Sequence, residues 1–531
     1  MVMSFDAARR RKPRQGAGEL ISVSLNLSKT FFAKDVAAME ETMLNGAEPF
    51  AAAQTAEDFI TLNGKRLDYS ICAEEVPVCN DEGAEQARSF CVSYALKGGA
   101  EGRPVTFAFN GKPGTSTLYL HMAALAPKTY SLSGQGDGAP QRPFTVCDNP
   151  NTILDFSDIV LIDPVGTGFS RVTNHEKERQ YYGVRQDVDS IARIIRAWMV
   201  SHGRFGSPVF IMGESYGGLR GSGLVLKLQQ MHIMPSGFVA VSPALSYGEL
   251  HTSMLLEHHL VHTVPAMTAA AWFHKKLDAD LLARDLEDVR AEADAWAQSE
   301  YLSFLWKGCE ASAEERARVL ENLRRYTGLK KDYLDSLNLR VNDKQFAGRL
   351  LEDEGLVTSY FDARLTHPGT PFEANNDSQT YNMSAACYTA FFEYFGRIMK
   401  LPAARDYQAY NPRVDGGKWD FASGYLPTST GAYPRAGGFA SMLADLCQAM
   451  KMDTRLKFFA CAGKFDLHCS INTTRYCISH MDIPAYLREN ITFKTYWGGH
   501  MFYSNPEAHA LWKADLKKFY EEALAAPSSA K

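Results

Sequence analysis

The sequence predicts an α/β fold, in which a mostly parallel central sheet carries an inserted helical cap. Between residues 158 and 243, strand-like apolar runs alternate with helical segments, at a spacing typical of a parallel sheet. From residue 249 to about 435 the chain is rich in helical patterns instead, and the strand pattern returns at Leu456. A sheet domain interrupted by a helical insertion accounts for both observations.

The composition excludes several classes of protein. At 531 residues the chain exceeds the usual size of a single core, so an insertion or a second domain is expected. A formal charge of −5 gives no reason to expect a nucleic-acid partner. No apolar run approaches the roughly 18 residues that a membrane span requires, so we predict no transmembrane segment. Nothing indicates a cofactor or a metal site, and the oligomeric state stays open.

We divide the chain into four segments. Residues 1–55 form an N-terminal tail, residues 56–248 and 436–525 form the two parts of the sheet domain, and residues 249–435 form the cap. A basic cluster at residues 9–14 precedes a polar stretch, whereas a secretory leader would have an apolar one. We therefore expect a solvated tail. The sequence alone favours a cytoplasmic protein but does not settle the compartment.

Local patterns predict the individual elements. Asn63-Gly64 between two strand-like runs indicates a hairpin turn. Further strands are expected at residues 90–96, 105–109, 158–164, 237–243, 456–463 and 491–497, with another leading into Ser215. Helices are expected from about Gln186, with an apolar stripe, and at residues 219–230, 269–296, 313–326 and 506–524. The stripe consists of Val188, Ile191, Ile195, Trp198 and Met199.

Three other features have ordinary interpretations. The spaced glycines of residues 133–138 follow no strand, so they predict a flexible surface loop and not a phosphate-binding loop. Ten cysteines are too dilute for a disulfide scaffold, and we expect mainly free thiols with one or two disulfides at most. His258 and His262 lack the H-E-x-x-H pattern, which favours a packing pair over a metal site.

The sequence around Ser215 indicates a nucleophile. An apolar run ends at Gly213, Ser215 and Gly217 follow at two-residue spacing, and a helical segment comes next. In this strand-turn-helix pattern, small residues permit a sharp turn that exposes the serine hydroxyl. The N-terminus of the helix then presents N–H groups to developing negative charge.

Two further polar residues follow predicted strands. Asp466 comes after the strand at residues 456–463, and His500 comes after the strand at residues 491–497. Sites in open α/β sheets form at the carboxyl ends of the strands, and the chain order Ser, Asp, His is that of α/β-hydrolases. A serine hydroxyl needs a base and a carboxylate that orients the base. We therefore predict a Ser215–Asp466–His500 triad.

Five motifs together resemble the serine carboxypeptidase family, and in particular its bacterial branch. They lie, in the family's order, at residues 110–116 (NGKPGTS), 163–170 (DPVGTGFS), 213–217 (GESYG), 462–466 (AGKFD) and 499–501 (GHM). The resemblance implies an α/β-hydrolase fold and a serine-type carboxypeptidase that removes a C-terminal residue through an acyl-enzyme. The implied partner is a peptide with a free C-terminus. Members are commonly secreted or lysosomal or vacuolar.

The resemblance also implies roles for individual residues. Ser215 would attack the carbonyl, His500 would act as base and then as acid, and Asp466 would orient His500. The implied oxyanion donors are the backbone N–H groups of Tyr216 and Lys112. The implied substrate-binding residues are Asn110, Gly111, Glu214 and Met501, of which Met501 lines the leaving-group pocket. A carboxylate facing Glu214 requires a shared proton, which favours acidic pH.

Three positions depart from the family pattern. Lys112 replaces a glycine, Ala124 occupies a position where many members have a supporting glutamate, and Thr115 replaces a cysteine. Lys112 could be strained at positive φ, could attract the substrate carboxylate, or could point into solvent without a role. These departures keep two alternatives open. One is an esterase or acyltransferase on the same fold, and the other is a catalytically weakened binding protein.

Overall fold

The computed structural model describes residues 53–132, 140–252, 255–370, 377–401, 405–415, 419–424 and 440–525. Residues 52–401 and 406–531 belong to one compact unit. Residues 1–52 of the predicted tail lie outside the described residues, and so does the glycine-rich segment 133–138.

The centre of the fold is a mixed sheet with the strand order β1-β2-β3-β7-β4-β9-β10-β13-β14, in which β8 also pairs with β3. The pairs from β1 to β7 are antiparallel, and the pairs from β7 to β14 are parallel. The sheet strands are β1 (Gln54–Leu62), β2 (Lys65–Cys79), β3 (Glu85–Leu96), β4 (Val105–Phe109), β7 (Asp158–Ile162), β8 (Arg171–Val172), β9 (Val209–Glu214), β10 (Pro235–Val241), β13 (Lys457–Gly463) and β14 (Ile491–Tyr496). The predicted α/β class and mostly parallel sheet are confirmed.

Two small ladders and a series of helices complete the described fold. The ladders join β5 (Lys128–Tyr130) to β6 (Val146–Asp148) and β11 (Leu356–Thr358) to β12 (Thr366–Pro368). The α-helices are α1 (Val184–Ser201), α2 (Tyr216–Gln230), α3 (His258–Phe273), α4 (Ala279–Leu282), α5 (Leu286–Trp296), α6 (Leu302–Lys307), α7 (Ala313–Thr327), α8 (Lys331–Ser336), α9 (Asp343–Arg349), α10 (Ser378–Ile398), α11 (Pro412–Asp415), α12 (Leu443–Met452), α13 (Ile471–Ser479) and α14 (Pro506–Leu524). None of the described helices is both long and apolar enough to span a membrane.

Helices cover both faces of the sheet. The predicted stripe of α1 is buried, and its Trp198 meets Phe107 of β4 edge to face at 5.4 Å between ring centroids. On the opposite face, Tyr520 of α14 stacks on Phe210 of β9 at 3.8 Å. Because both faces are covered, the inner strands β4, β7 and β9 are buried along their whole length. Their carboxyl ends are thereby held in fixed positions.

The hairpin prediction is confirmed, since Asn63 and Gly64 join β1 to β2 with φ of 49° and 76°. The single helix predicted over residues 269–296 is wrong. Helix α3 ends at Phe273, Lys275 has φ 58°, and the Lys276 amide donates to the Ala271 carbonyl at 2.8 Å. The chain then starts α5 afresh, because the Asp285 side chain accepts the amide of Glu287 and caps that helix.

The cysteines and the histidine pair have ordinary structural surroundings. All ten cysteines are free thiols, so the one or two disulfides that the sequence allowed do not form. His258 and His262 lie on the first turns of α3 and both face Glu249, at 3.5 and 3.2 Å. This packing around Glu249 agrees with the predicted packing pair.

Candidate active site

Ser215 lies at the sharp turn between β9 and α2. Its φ of 56° and ψ of −122° are unusual for a residue with a Cβ, and such a conformation costs on the order of 1–3 kcal/mol. Backbone bonds hold it in place: the Ser215 amide donates to Val241 at 2.9 Å, and the Ser215 carbonyl accepts the amides of Gly218 and Ala244. A Cβ at Gly213 would lie 2.2 Å from the Gly217 carbonyl oxygen, so the turn requires a glycine there.

Asp466 and His500 form a buried pair at the ends of β13 and β14. His500 Nδ1 lies 2.7 Å from Asp466 Oδ2. The other carboxylate oxygen, Oδ1, accepts the amides of His468 and Cys469, both at 2.9 Å. Three donors thus converge on a fully buried carboxyl group, an arrangement that suits a negative charge. The same bonds fix the orientation of the His500 ring.

His500 is held on three sides. Its amide donates to the Phe361 carbonyl at 2.6 Å, and the Phe361 ring packs on the imidazole with centroids 4.6 Å apart. Its carbonyl accepts the hydroxyl of Ser242 at 2.6 Å. Burial alone would lower the pKa of His500, but the charge of Asp466 and its hydrogen bond outweigh burial and raise that pKa. Asp466 therefore stabilises the charged form of the imidazole.

The end of β10 connects the serine turn to the histidine. Val241 accepts the Ser215 amide, and the next residue, Ser242, binds the His500 carbonyl. The backbone of Ser215, whose side chain is half-buried, is therefore linked to the backbone of His500 through two consecutive residues. Phe361 and Ser242 were not anticipated from the sequence, because neither belongs to a motif and each acts through its backbone or a single hydroxyl.

Glu214, next to the predicted nucleophile, is buried and has polar partners. The Asn110 side-chain amide donates to Glu214 Oε2, and the Tyr503 hydroxyl lies 3.0 Å from both carboxyl oxygens. Burial raises the pKa of Glu214 to about 7, although the bonds from Tyr503 and Asn110 act to lower it. Tyr503 was missed from the sequence, and its only signal is its place three residues after His500.

Asn110 is held in position by hydrogen bonds from Arg220 and Leu120. Its carbonyl accepts a bond from Arg220 at 2.7 Å, and Arg220 also pairs with Asp187 at 2.6 Å. Its side-chain oxygen accepts the Leu120 amide at 3.0 Å, which directs the Asn110 NH₂ group towards Glu214. Arg220 is almost fully buried, so its pair with Asp187 fixes the loop and does not face solvent.

The predicted oxyanion donors flank Gly111. A Cβ on Gly111 would lie 2.6 Å from both the Ser215 Cβ and the Tyr216 amide nitrogen. Only glycine allows the loop to approach the serine turn this closely. The next residue, Lys112, has φ 27°, so the lysine occupies a positive-φ position. Its ammonium lies 4.1 Å from the ring centroid of Tyr410.

Tyr410 belongs to a segment, residues 406–415, that pairs with the Lys112 loop. Thr115 forms an antiparallel bridge with Tyr410, and the Ser116 amide donates to Ala409 at 3.0 Å. The same segment bridges Gly168 through Gln408. Residues of the predicted cap thus fix two of the sheet domain's loops, and this was not visible in the sequence.

The remaining predicted positions are buried. Ala124 lies in a short π-helix, Leu120–Leu125, and its carbonyl accepts bonds from Asn149 and His509 at 2.8 and 3.1 Å. Met501 is also buried, directly after His500. Asp466, Cys469 and His500 could offer ligand atoms to a metal ion, but the Asp466–His500 hydrogen bond already uses two of these groups.

Comparisons with known proteins agree with this architecture. Residues 80–494 match the family described as serine carboxypeptidase. A serine carboxypeptidase-like 20 protein from Arabidopsis thaliana is 31% identical over 118 residues, which are 22% of this chain and 22% of that protein. The structure of Kex1(delta)p, a prohormone-processing carboxypeptidase from Saccharomyces cerevisiae, has a TM-score of 0.50 at 12% identity. That similarity covers 85% of this chain and 91% of the yeast chain, and it concerns the fold alone.

The family match covers well over half of the sequence and includes the loops of Asn110, Ser215 and Asp466. It ends at residue 494, just before the loop that carries His500, whose bond to Asp466 is seen in the structure. The chain belongs to the serine carboxypeptidase family.

Proposed function

We propose that this protein is a serine-type carboxypeptidase that releases the C-terminal residue of peptides. The observation that carries the proposal is the position of Glu214, a buried carboxyl group adjacent to Ser215 with a pKa raised to about 7. A neutral carboxyl group can donate a hydrogen bond to a carboxylate, as a charged one cannot. Glu214 directly precedes the nucleophile in the chain, so its neutral carboxyl group can recognise the free C-terminus of a peptide there.

In the first half of the reaction, Ser215 Oγ attacks the carbonyl carbon of the last peptide bond, and His500 accepts the hydroxyl proton. Asp466 holds the imidazole through Nδ1 and stabilises its charged form. The N–H groups of Tyr216 and Lys112 bind the oxyanion. His500 then gives the proton to the departing amino acid, which leaves an acyl-enzyme on Ser215.

In the second half, water replaces the released amino acid. His500 takes a proton from the water, whose oxygen attacks the acyl carbon, and then returns the proton to Ser215 as the ester bond breaks. The peptide, now one residue shorter, leaves with a new free C-terminus. Asn110 and Glu214 hold the terminal carboxylate in the first half only, because the released residue carries it away.

Two assays test the proposal. A fluorophosphonate probe should label the wild-type protein and not the Ser215→Ala variant, and absence of labelling would indicate a binding protein. A blocked dipeptide should then be cleaved at acidic pH, and its C-terminal amide much more slowly. Equal rates on the two substrates, or transfer to an added acceptor alcohol in preference to water, would indicate the esterase or acyltransferase alternative that Ala124 keeps open.

A further inference from the structure

Away from the active site, Cys72, Glu74 and His202 bring a thiol, a carboxyl group and an imidazole together. Their ligand atoms all lie within 4.8 Å of one another, and all three residues are partly exposed. Cys72 and Glu74 are alternate residues of β2, so their side chains share one face of the sheet. His202 follows the last residue of α1, which packs on β2.

The hydrogen bonds of His202 define which ring nitrogen is free. Nδ1 lies 3.0 Å from both the Trp198 carbonyl oxygen, which can only accept, and the Ser201 hydroxyl. That hydroxyl itself donates to the Trp198 carbonyl at 3.0 Å, so we assign the ring proton to Nδ1. In the neutral ring, Nε2 then has a lone pair. A histidine that donates one N–H to a backbone carbonyl and offers the other nitrogen is typical of metal sites.

The free nitrogen faces a carboxylate oxygen that lacks a donor. Nε2 lies 3.2 Å from Glu74 Oε1, and Oε1 is buried without a hydrogen bond among the described residues. Two lone pairs that face each other require a cation between or beside them, either a proton or a metal ion. The third group points to a metal ion: the Cys72 thiol can share a hydrogen bond with the ring, but as a thiolate it is a strong ligand for a transition metal, and it completes a set of sulfur, nitrogen and oxygen donors.

We propose that Cys72, Glu74 and His202 bind a divalent transition-metal ion of the zinc type, with water from solvent as the fourth ligand. Sulfur, nitrogen and oxygen donors in one cluster match the preferences of Zn²⁺. Ligands at zinc bond lengths stand roughly 3.3–3.8 Å apart in a tetrahedron, so small side-chain rotations suffice. On binding, the Cys72 S–H bond breaks, its proton goes to solvent and the thiolate sulfur bonds to the metal. The thiolate and Glu74 then balance the 2+ charge.

The place of this cluster in the fold indicates a structural role. Strands β3, β7 and β4 separate β2 from β9, which leads to Ser215. Four strand spacings correspond to about 19 Å, too far for the ion to contact the reacting atoms. A bound ion would join β2 to the end of α1 and stabilise that side of the sheet.

Cobalt(II) added to the chelator-treated full-length protein tests the proposal. One equivalent should produce thiolate-to-cobalt charge-transfer bands and raise the unfolding temperature. Cys72→Ser should abolish the charge-transfer bands. Glu74→Gln, which keeps the side-chain shape, should weaken binding by at least about tenfold, the loss typical even of an outer ligand partner.

Matched controls locate the ion. Cys147→Ser removes an exposed thiol elsewhere, and Cys469→Ser removes the thiol of the Asp466 cluster. Both should keep the bands, and the near-ultraviolet circular dichroism of every variant checks its folding. The proposal is wrong if the wild-type protein shows no charge-transfer band, if the band survives Cys72→Ser, or if Glu74→Gln binds cobalt as tightly as the wild type.

Discussion

Asp466 and Glu214 are buried carboxyl groups of one site, yet their surroundings differ. Asp466 accepts three hydrogen bonds, one of them from a histidine that carries positive charge when protonated. Glu214 has donors as well, but burial outweighs them and raises its pKa to about 7. The comparison teaches that the number and charge of the donors assign the roles, since the residue types are nearly the same. In the proposed mechanism, one carboxyl group supports the base, and the other recognises an anion.

The largest effect is expected when the proposed nucleophile is removed. Ser215→Ala should lower kcat by roughly 10⁶, the loss typical of a removed serine nucleophile, while the protein stays folded. Ser215→Gly should be equally inactive but more stable than the alanine variant by about 1–3 kcal/mol, because glycine tolerates the positive φ. Peptidase assays measure the loss of kcat, and chemical denaturation measures the difference in stability. Appreciable activity in either purified variant would refute the nucleophile assignment.

Asp466→Asn should lower kcat by about 10⁴, the effect expected when the base is held in the wrong tautomer. An asparagine Oδ1 can keep the bonds from His468 and Cys469, so its NH₂ group would point at His500 Nδ1. Asp362→Asn serves as a control, since Asp362 binds the Gly499 amide and Arg364 but not the imidazole. A similar loss in the two variants would show that loop position and not the tautomer is responsible.

Glu214→Gln tests whether Glu214 recognises the terminal carboxylate of the substrate. In the wild type, the neutral acid predominates below pH 7, so the KM for a peptide acid should rise above pH 7, by up to about tenfold per unit. A glutamine amide donates at every pH, so this rise should disappear in the variant, and the C-terminal amide substrate should never show it. Asp163 is a matched control, because burial raises its pKa to about 7 as well. Asp163→Asn should leave the KM profile unchanged, and a flattened profile would contradict the role of Glu214.

Tyr503→Phe should shift the same profile without removing it. The Tyr503 hydroxyl favours the charged form of Glu214, so its loss should raise the pKa of Glu214 further. The decline in peptide affinity should then move to higher pH, by about half to one unit for a hydrogen bond of ordinary strength. Tyr496→Phe removes a comparable bond to Asp515 and should not move the decline. A shift to lower pH in Tyr503→Phe would contradict this account.

The smallest effect is expected at Lys112. Lys112→Gly removes the strain of φ 27° and also the contact with Tyr410, which is worth about 0.5–1 kcal/mol. If strain displaces the oxyanion N–H, kcat should rise on peptide and ester alike, by less than the roughly 10² of a whole donor. Tyr410→Leu removes the ring contact alone and should leave kcat unchanged. A raised KM for the peptide alone would instead indicate that Lys112 attracts the substrate carboxylate.

Much of the site could be predicted from the sequence. The turn at Ser215 has local causes, since Gly213 and Gly217 permit it and apolar residues precede it. The positions of Asp466 and His500 follow from strands that end shortly before them. The positive φ at Lys112 was also accessible, because the family has a glycine there. These are short-range patterns, in which a residue's neighbours in the chain decide its conformation.

The partners of these residues depended on the tertiary structure. Tyr503 reaches Glu214 across 289 residues, and Phe361 reaches His500 from the segment between β10 and β13. The predicted helix 269–296 is broken because Lys275 has a positive φ and Asp285 caps the N-terminus of α5. The sequence prediction treated both residues as part of the helix interior. The sequence by itself determined the α/β class, the family and the candidate nucleophile, because periodicity and turn residues are local. Only the tertiary structure decided the surroundings of the two carboxyl groups and raised the pKa of Glu214 to about 7, because burial and hydrogen-bond donors come from distant segments.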